Sequence, residues 1–400
     1  MNSAIIVTLD RLNPGFLGPY GNTWVDTPAF NKLACQSLLV EHALTDSLDL
    51  NRVFRSYWTG RPAWLPEDPS AWSLLKACAA AGIKAALVTD DAELIRHPLA
   101  ADFAEIIALP EPLRQSQDDP QDSAVAQVLQ EAAVWLEKTT QPYLLWVHAQ
   151  AMQGPWDARL ALRRKLADEE DPPPPEWLTP PPQRLPADAD PDIALGYTQA
   201  YAAQVLFADA CLGAFLDALE ALPAAREALL AVTSPRGFPL GEHGRLGPVD
   251  DALYAEAIQV PLFIRRPDAA GALVRMQDFA QPFDLAAAVA DWCGVLPPGM
   301  TSHLTARMLN ADASPRETAF LASDRDRAIR TPAWYLRETT AGESGRELFV
   351  KPDDRWEINE VASRCGAECE ALAALLERLP EFRSSADFPA LADELREIRR

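Results

Sequence analysis

The sequence predicts an α/β fold: a large, mostly parallel sheet flanked by helices, followed by a small C-terminal α+β subdomain. Three observations predict it. Short apolar runs alternate with amphipathic helical stretches, the pattern of strands whose crossovers are helices. A chain of 400 residues, 48% hydrophobic, exceeds what one small core needs. After about Pro298 the texture shifts to polar-alternating runs and turn residues.

Each element has its own warrant. Residues 4–9 (A-I-I-V-T-L) form an apolar run too short for a helix, as expected of a strand buried on both faces. The same holds for 84–88, 143–148, 228–233, 260–264 and 318–322. Between them, 123–138 and 197–222 place apolar residues at helical spacing. Residues 171–191, rich in proline and acid, are read as an extended surface loop, unable to continue a helix or pair in a sheet. Residues 328–338 and 346–351 read as antiparallel strands around a turn at Gly342 and Gly345, and 367–379 as a helix. The expected division is 1–298 for the α/β domain and 299–400 for the C-terminal subdomain. There is no internal repeat.

Composition narrows function. Acidic residues number 58 against 36 basic, for a net charge of -22. A field of that sign repels nucleic acid and anionic membrane, so neither is an expected partner. Six cysteines lie scattered without a paired framework, and no stretch is read as long enough to span a membrane. Met-Asn-Ser runs directly into the first strand, so a cytoplasmic location is expected.

Eight motifs then follow one another in a familiar order. The start, I-I-V-T-L-D-R-L-N-P-G-F-L-G-P-Y-G, is similar to D-D-L-R-P-D-H-L-G-C-Y-G. Thr27-Pro28 through Leu33 is similar to T-P-N-L-D-R-L-A. Thr59-Gly60-Arg61 matches the end of C-x-P-S-R-x-x-L-x-T-G-R. L-L-W-V-H-A-Q-A-M-Q-G-P-W-D, L-G-E-H-G, V-P-L-F-I-R-R-P, A-I-R-T-P-A-W-Y-L and E-L-F-V-K-P-D-D-R-W-E-I-N-E come after. In this order the chain resembles the sulfatase family of the alkaline-phosphatase superfamily. The resemblance implies an alkaline-phosphatase-like α/β sandwich. It also implies a site that uses Ca²⁺ or Mg²⁺, a formylglycine or serine nucleophile, and cationic groups on the transferring oxygens.

The residues at those positions depart from the family. Asp10 keeps one metal-ligand position, but Arg11 replaces the neighbouring Asp. The nucleophile position falls on Leu50, which has no attacking atom. Arg52 and Val53 replace the Pro and Ser of the maturation motif. Phe54 replaces the sulfate-contacting Arg, with Arg55 as the next basic residue. Gln153 stands for the sulfate-binding His, and Ala151 and Met152 for Asp-Pro; His148 survives within the strand. In T-S-P-R-G, Pro235 and Arg236 stand where the family's Asp and His or Asn ligate the cation. The later Lys maps to Pro248, and the G-K-W-H segment loosely to Thr89-Asp90-Asp91-Ala92.

The expected outcome is a vestigial pocket of Asp10, Arg11, Arg55, His148, Arg236, Glu242 and His243, with no catalytic residue, no metal and no cofactor. One of Arg11 and Arg236 is expected to fork onto Asp10, replacing the ion's charge covalently. Asp10 could instead be a retained ligand. Glu242 and His243 could be an acid/base couple, though a loop-organising role is preferred. Asp46, Ser47 or Asp49 could replace the nucleophile by a register shift. Cys365 and Cys369, and the isolated His42, His97 and His303, suggest no metal site. Function is read as a sulfatase-like pseudoenzyme. Its candidate ligand is a small anion such as sulfate or phosphate, held by Arg11, Arg52, Arg55 and Arg236, or else it serves a protein partner. The competing readings are an active metal-dependent sulfuric- or phosphoric-ester hydrolase with a rearranged site, and a structural subunit.

Overall fold

The computed structural model describes residues 2–112, 115–139, 142–310, 312–341 and 345–397. Its strands in chain order are β1 (Ala4–Leu9), β2 (Leu38–Leu44), β3 (Lys84–Thr89), β4 (Glu105–Ala108), β5 (Tyr143–Ala149), β6 (Gln183–Arg184), β7 (Leu229–Thr233) and β8 (Arg245–Leu246). They continue with β9 (Gln259–Val260), β10 (Leu262–Arg265), β11 (Val274–Ala280), β12 (Ala319–Ala322), β13 (Asp326–Arg330), β14 (Trp334–Thr339) and β15 (Gly345–Val350).

The main sheet runs β11-β2-β10-β7-β1-β5-β3-β4, with β9 added to β2. Neighbours are parallel except around β10 and β9. Helices cover both faces, which is why β1 is buried throughout and apolar but for Thr8. Ile5, Val7 and Leu9 enter one core, while Ala4 and Ile6 enter the other. The expected strands at 4–9, 84–88, 143–148 and 228–233 are the four that form the middle of this sheet.

The C-terminal sheet, β12-β13-β14-β15, is antiparallel. One face (Phe320, Ile329, Leu336, Leu348) packs on the helix Gly366–Glu377. The other (Leu321, Ala328, Tyr335, Phe349) shares a core with Leu44, Leu48, Leu253 and Ile258 of the main body. The run 328–338 is two strands, not one. Pro332 lacks a donor, and Thr331 Oγ1 accepts from the Trp334 amide at 3.0 Å, closing a turn there. Of the expected turn glycines, Gly342 lies outside the described residues.

Two expectations about the middle of the chain are corrected. Within 171–191, Gln183–Arg184 pairs antiparallel with Arg245–Leu246, because neither residue is proline. The segment is also pinned down: buried Arg163 donates to the carbonyls of Pro175 (2.6 Å) and Trp177 (2.9 Å), and the Trp177 ring lies 4.5 Å from Tyr197. The following helix starts at Pro191, capped by Asp190, and runs to Ala221. At 31 residues it is long and apolar enough to cross a membrane, contrary to the expectation. Its apolar surface is instead used inside the fold, where Tyr201, Val205, Leu212 and Phe215 are buried in the core cluster that also holds β1.

Candidate functional site

Because β7, β1 and β5 are parallel neighbours, the residues that follow them emerge at one edge of the sheet. Asp10 follows β1, Gln150–Gln153 follow β5, and Ser234-Pro235-Arg236 follow β7. The loop after β2 brings Leu48 and Asp49 to the same edge and starts the helix Leu50–Thr59. Asp49 caps that helix by accepting from the Arg52 amide at 2.9 Å.

Asp10 is 1% exposed. Its amide donates to the Ala149 carbonyl at 3.0 Å, and its own carbonyl accepts from the Met152 amide at 3.1 Å. Both carboxylate oxygens are taken by one guanidinium: Arg236 Nε donates to Oδ1 at 3.1 Å and Nη2 to Oδ2 at 2.9 Å. The third nitrogen, Nη1, donates to Asp250 Oδ2 at 2.9 Å and to the Leu48 carbonyl at 3.3 Å. Arg11 completes the arrangement. Its Nη1 and Nη2 bond Asp250 Oδ1 (3.0 Å) and Oδ2 (2.5 Å), while its Nε donates to Gln153 Oε1. Arg11 has φ 62°, a conformation that is costly for a long side chain. Its carbonyl is fixed by the Tyr201 hydroxyl at 2.7 Å.

The result is an alternating chain of charge, Arg11–Asp250–Arg236–Asp10, with no net charge. Burial works against the charge on Arg236, but Asp10 and Asp250 outweigh it and raise its pKa. Asp250 likewise overcomes burial through Arg11 and Arg236, and lies below the usual carboxylate range. Arg11 is lowered, by burial first and by repulsion from Arg236 second. The expected fork therefore forms, with Arg236 as its donor, and Arg11 turns to a partner that the sequence reading missed. The signal for Asp250 was arithmetic: two buried guanidiniums beside one carboxylate need a second acid.

A divalent ion of the family's kind needs several oxygen donors. Here Pro235 offers no side-chain donor, and both oxygens of Asp10 are held by Arg236. Among the described residues no three His, Cys, Asp or Glu side chains converge as a metal set. The residues present do not fit the family's cation.

The remaining predicted residues are distributed around this quartet. Leu50 opens its helix and packs beside the fully buried Phe54. The Phe54 ring lies 4.9 Å from His148, which is buried on β5, bonded to Thr8 Oγ1 at 3.0 Å and 3.6 Å from Asp91. Neither Arg52 nor Arg55 joins the quartet. Arg52 pairs with Asp324 at 2.5 Å. Arg55 donates to the carbonyls of Ala63 (2.6 Å) and Leu65 (2.7 Å) and lines a separate cleft of about 960 Å³.

Glu242 and His243 do not bond each other. Glu242 accepts from the Leu240 amide at 2.7 Å. His243 bonds Glu256 at 2.9 Å and the Glu357 carbonyl at 3.0 Å, and its ring stacks on Tyr254 at 3.7 Å. Burial opposes its proton, but Glu256 outweighs burial and raises its pKa. These contacts tie the loop to Glu256, Tyr254 and the C-terminal segment. Asp46 is fully buried, accepting from Ser56 Oγ (2.7 Å) and the Ala63 amide (2.8 Å), and burial pushes it up to about 7. Ser47 Oγ accepts from the Asp49 amide at 3.3 Å. His97 bonds Asn51 and Leu99, His303 pairs with Asp278 at 3.2 Å, and Cys365 precedes the helix on which Cys369 is buried.

Two outcomes follow from this geometry. Asp10→Ala leaves Arg236 without its fork and lowers stability by about 3–5 kcal/mol in urea unfolding, the range for removing one partner of a buried pair. Asp250→Ala is destabilising as well, since it leaves the buried Arg11 without a carboxylate. The second outcome concerns pH. The folded state raises Asp46 from its usual 3.8 to about 7, so it binds a proton that the unfolded chain has released. The stability Asp46 contributes is complete below its unfolded pKa and is lost as pH rises toward 7. Asp46→Asn removes that decline from a series of melts. Part of the slope remains with Asp90, which burial lifts to about 6.

Comparison with known proteins completes the site. The family described as Sulfatase matches residues 3–295. Among solved structures, a phosphonate monoester hydrolase of Agrobacterium radiobacter aligns with a TM-score of 0.80, at 16% identity and over 100% of both chains. A protein solved in complex with its substrate D-glucosamine-2-N,6-O-disulfate aligns at 0.77, with 17% identity over 95% of this chain and 97% of its own. A phosphonate monoester hydrolase from Silicibacter pomeroyi aligns at 0.74, with 16% identity and 98% of each chain. None of the curated proteins matches in sequence. At such identities the structural likeness speaks for the fold, while the family match covers most of the chain. The chain belongs to the sulfatase family.

Proposed function

We propose that this chain is a sulfatase-family protein without ester-hydrolase activity, retained as a binding or assembly module. One observation carries the proposal. The Arg236 guanidinium takes both oxygens of Asp10 and reaches Asp250, at the position from which a sulfatase would hold its cation. A cation built into the chain can balance the carboxylates, but it cannot accept an ester oxygen as a ligand or lower the pKa of a bound nucleophile. Leu50 supports the same reading, since the nucleophile position offers only methyl groups.

The saturation of Arg11 and Arg236 by Asp10, Asp250 and Gln153 also bears on the choice of ligand. An oxyanion entering here would displace carboxylates already held in bidentate geometry. A protein partner therefore suits this edge better than sulfate or phosphate does.

Hydrolysis of an aryl sulfate, a phosphonate monoester and a phosphodiester is the test, each assayed with Ca²⁺, Mg²⁺, Mn²⁺ and Zn²⁺. No turnover above background is expected, and a chelator is expected to leave the thermal midpoint unchanged. Turnover that disappears in Asp10→Ala would overturn the proposal in favour of an active hydrolase. Leu50→Cys and Leu50→Ser are expected to stay inert in the same assays, because restoring an attacking atom does not restore the ion that activates it.

A further inference from the structure

A second feature lies away from the quartet, where the main sheet meets the C-terminal sheet. A cavity of about 220 Å³ sits between β2, β11 and the strands β13 and β14. Part of its wall is apolar: Leu44, Ile258, Phe279 and the ring of Tyr335. The hydroxyl of Tyr335 is used elsewhere, donating to the Leu253 carbonyl. Two acids also line the cavity, and each is already paired. Glu357 holds Lys351 at 2.9 Å and accepts from the Ala255 amide at 3.0 Å. Glu41 holds Arg275 at 2.6 Å.

Two cations on the cavity, the exposed Arg355 and the half-buried Arg330, have no carboxylate within ion-pair distance among the described residues, and Arg330 is the one set between the two sheets. It is the last residue of β13 and lines the cavity with its guanidinium 5.5 Å from the Phe279 ring. Its Nη1 donates to the carbonyls of Thr331 and Trp334. Among the described residues no carboxylate lies within ion-pair distance of Arg330, and its Nε and Nη2 donate to no protein acceptor. Burial lowers its pKa to about 10. In a chain of net charge -22, a half-buried guanidinium whose nearest acid, Glu357, is already paired with Lys351 has two donors to spare. His42, on the same cavity, is pushed down to about 4 by burial and by Arg330. It is therefore a neutral ring, able to donate or accept one hydrogen bond.

We propose that this cavity binds a small monocarboxylate with an apolar body, its carboxylate forked on Arg330 Nε and Nη2 and its body against Leu44, Ile258 and Phe279. The fork needs two parallel donors on one edge of a guanidinium, which are the two nitrogens left over here. A volume of about 220 Å³ excludes a large ligand. His42 stands to bond the carboxylate oxygen or a substituent on the body. This site is independent of whether the quartet is inert.

Benzoate is the probe, with benzamide as its neutral isostere and inorganic sulfate as an oxyanion without a body. Calorimetric titration of the full chain is expected to show benzoate binding with one site per chain, and benzamide and sulfate each at least about tenfold weaker. Arg330→Gln is expected to weaken benzoate by a similar factor. Ala255→Leu, which fills the cavity from a partly exposed wall, is expected to abolish binding, and it decides the matter should Arg330→Gln fail to fold. No benzoate binding at 10-millimolar order would overturn the proposal. So would undiminished binding in either folded variant, or sulfate binding as tightly as benzoate.

Discussion

The site edge is organised by one guanidinium. Arg236 touches the loops after three different strands: Asp10 after β1, Leu48 after β2, and its own loop after β7, with Asp250 closing the far side. In water such contacts between charged groups are weak, but here Asp10 is 1% exposed and the pairing is bidentate. Removing the charge from either side would leave the other stranded in a medium that solvates it poorly. The loops therefore hold their positions because the charges require one another, and the helix Leu50–Thr59 is placed by the same loops.

Substitution at one position explains others around it. Arg236 supplies a fixed positive charge that Asp10 and Asp250 share. The buried Arg11 needs an acid, and Asp250 is there to meet it. Gln153 supplies a neutral acceptor for the remaining Nε of Arg11. With Asp10 these residues form a mutually satisfied set, in which each is intelligible only beside the others.

Much of the central architecture could be read from the sequence because it has a one-dimensional signature. Strands buried on both faces are continuous apolar runs, so β1, β3, β5 and β7 stood out. β2 carries Glu41 and His42 in its middle, and β11 reads V-R-M-Q-D-F-A, so neither looks like a central-sheet strand. Both lie toward the edge of the sheet, where polar side chains reach solvent or the C-terminal sheet. At the site, Asp10, Arg236 and Leu50 were found by position within motifs. Asp250 has no motif, and its role depends on a loop closing back in space. The placement of Arg52 and Arg55 was likewise invisible, because spacing along a helix gives a face but not what that face meets.

The ring of His243, stacked on Tyr254 and bonded to the Glu357 carbonyl, has a consequence for how the molecule comes apart. Together with the apolar cluster shared by Leu48, Ile258, Tyr335 and Phe349, it rivets the last hundred residues to the first three hundred. Severing them would strip apolar surface from both pieces at once, so neither has a self-sufficient interior at that boundary. Denaturation should run as one cooperative event, with the tail dissolving when the main sheet does rather than ahead of it.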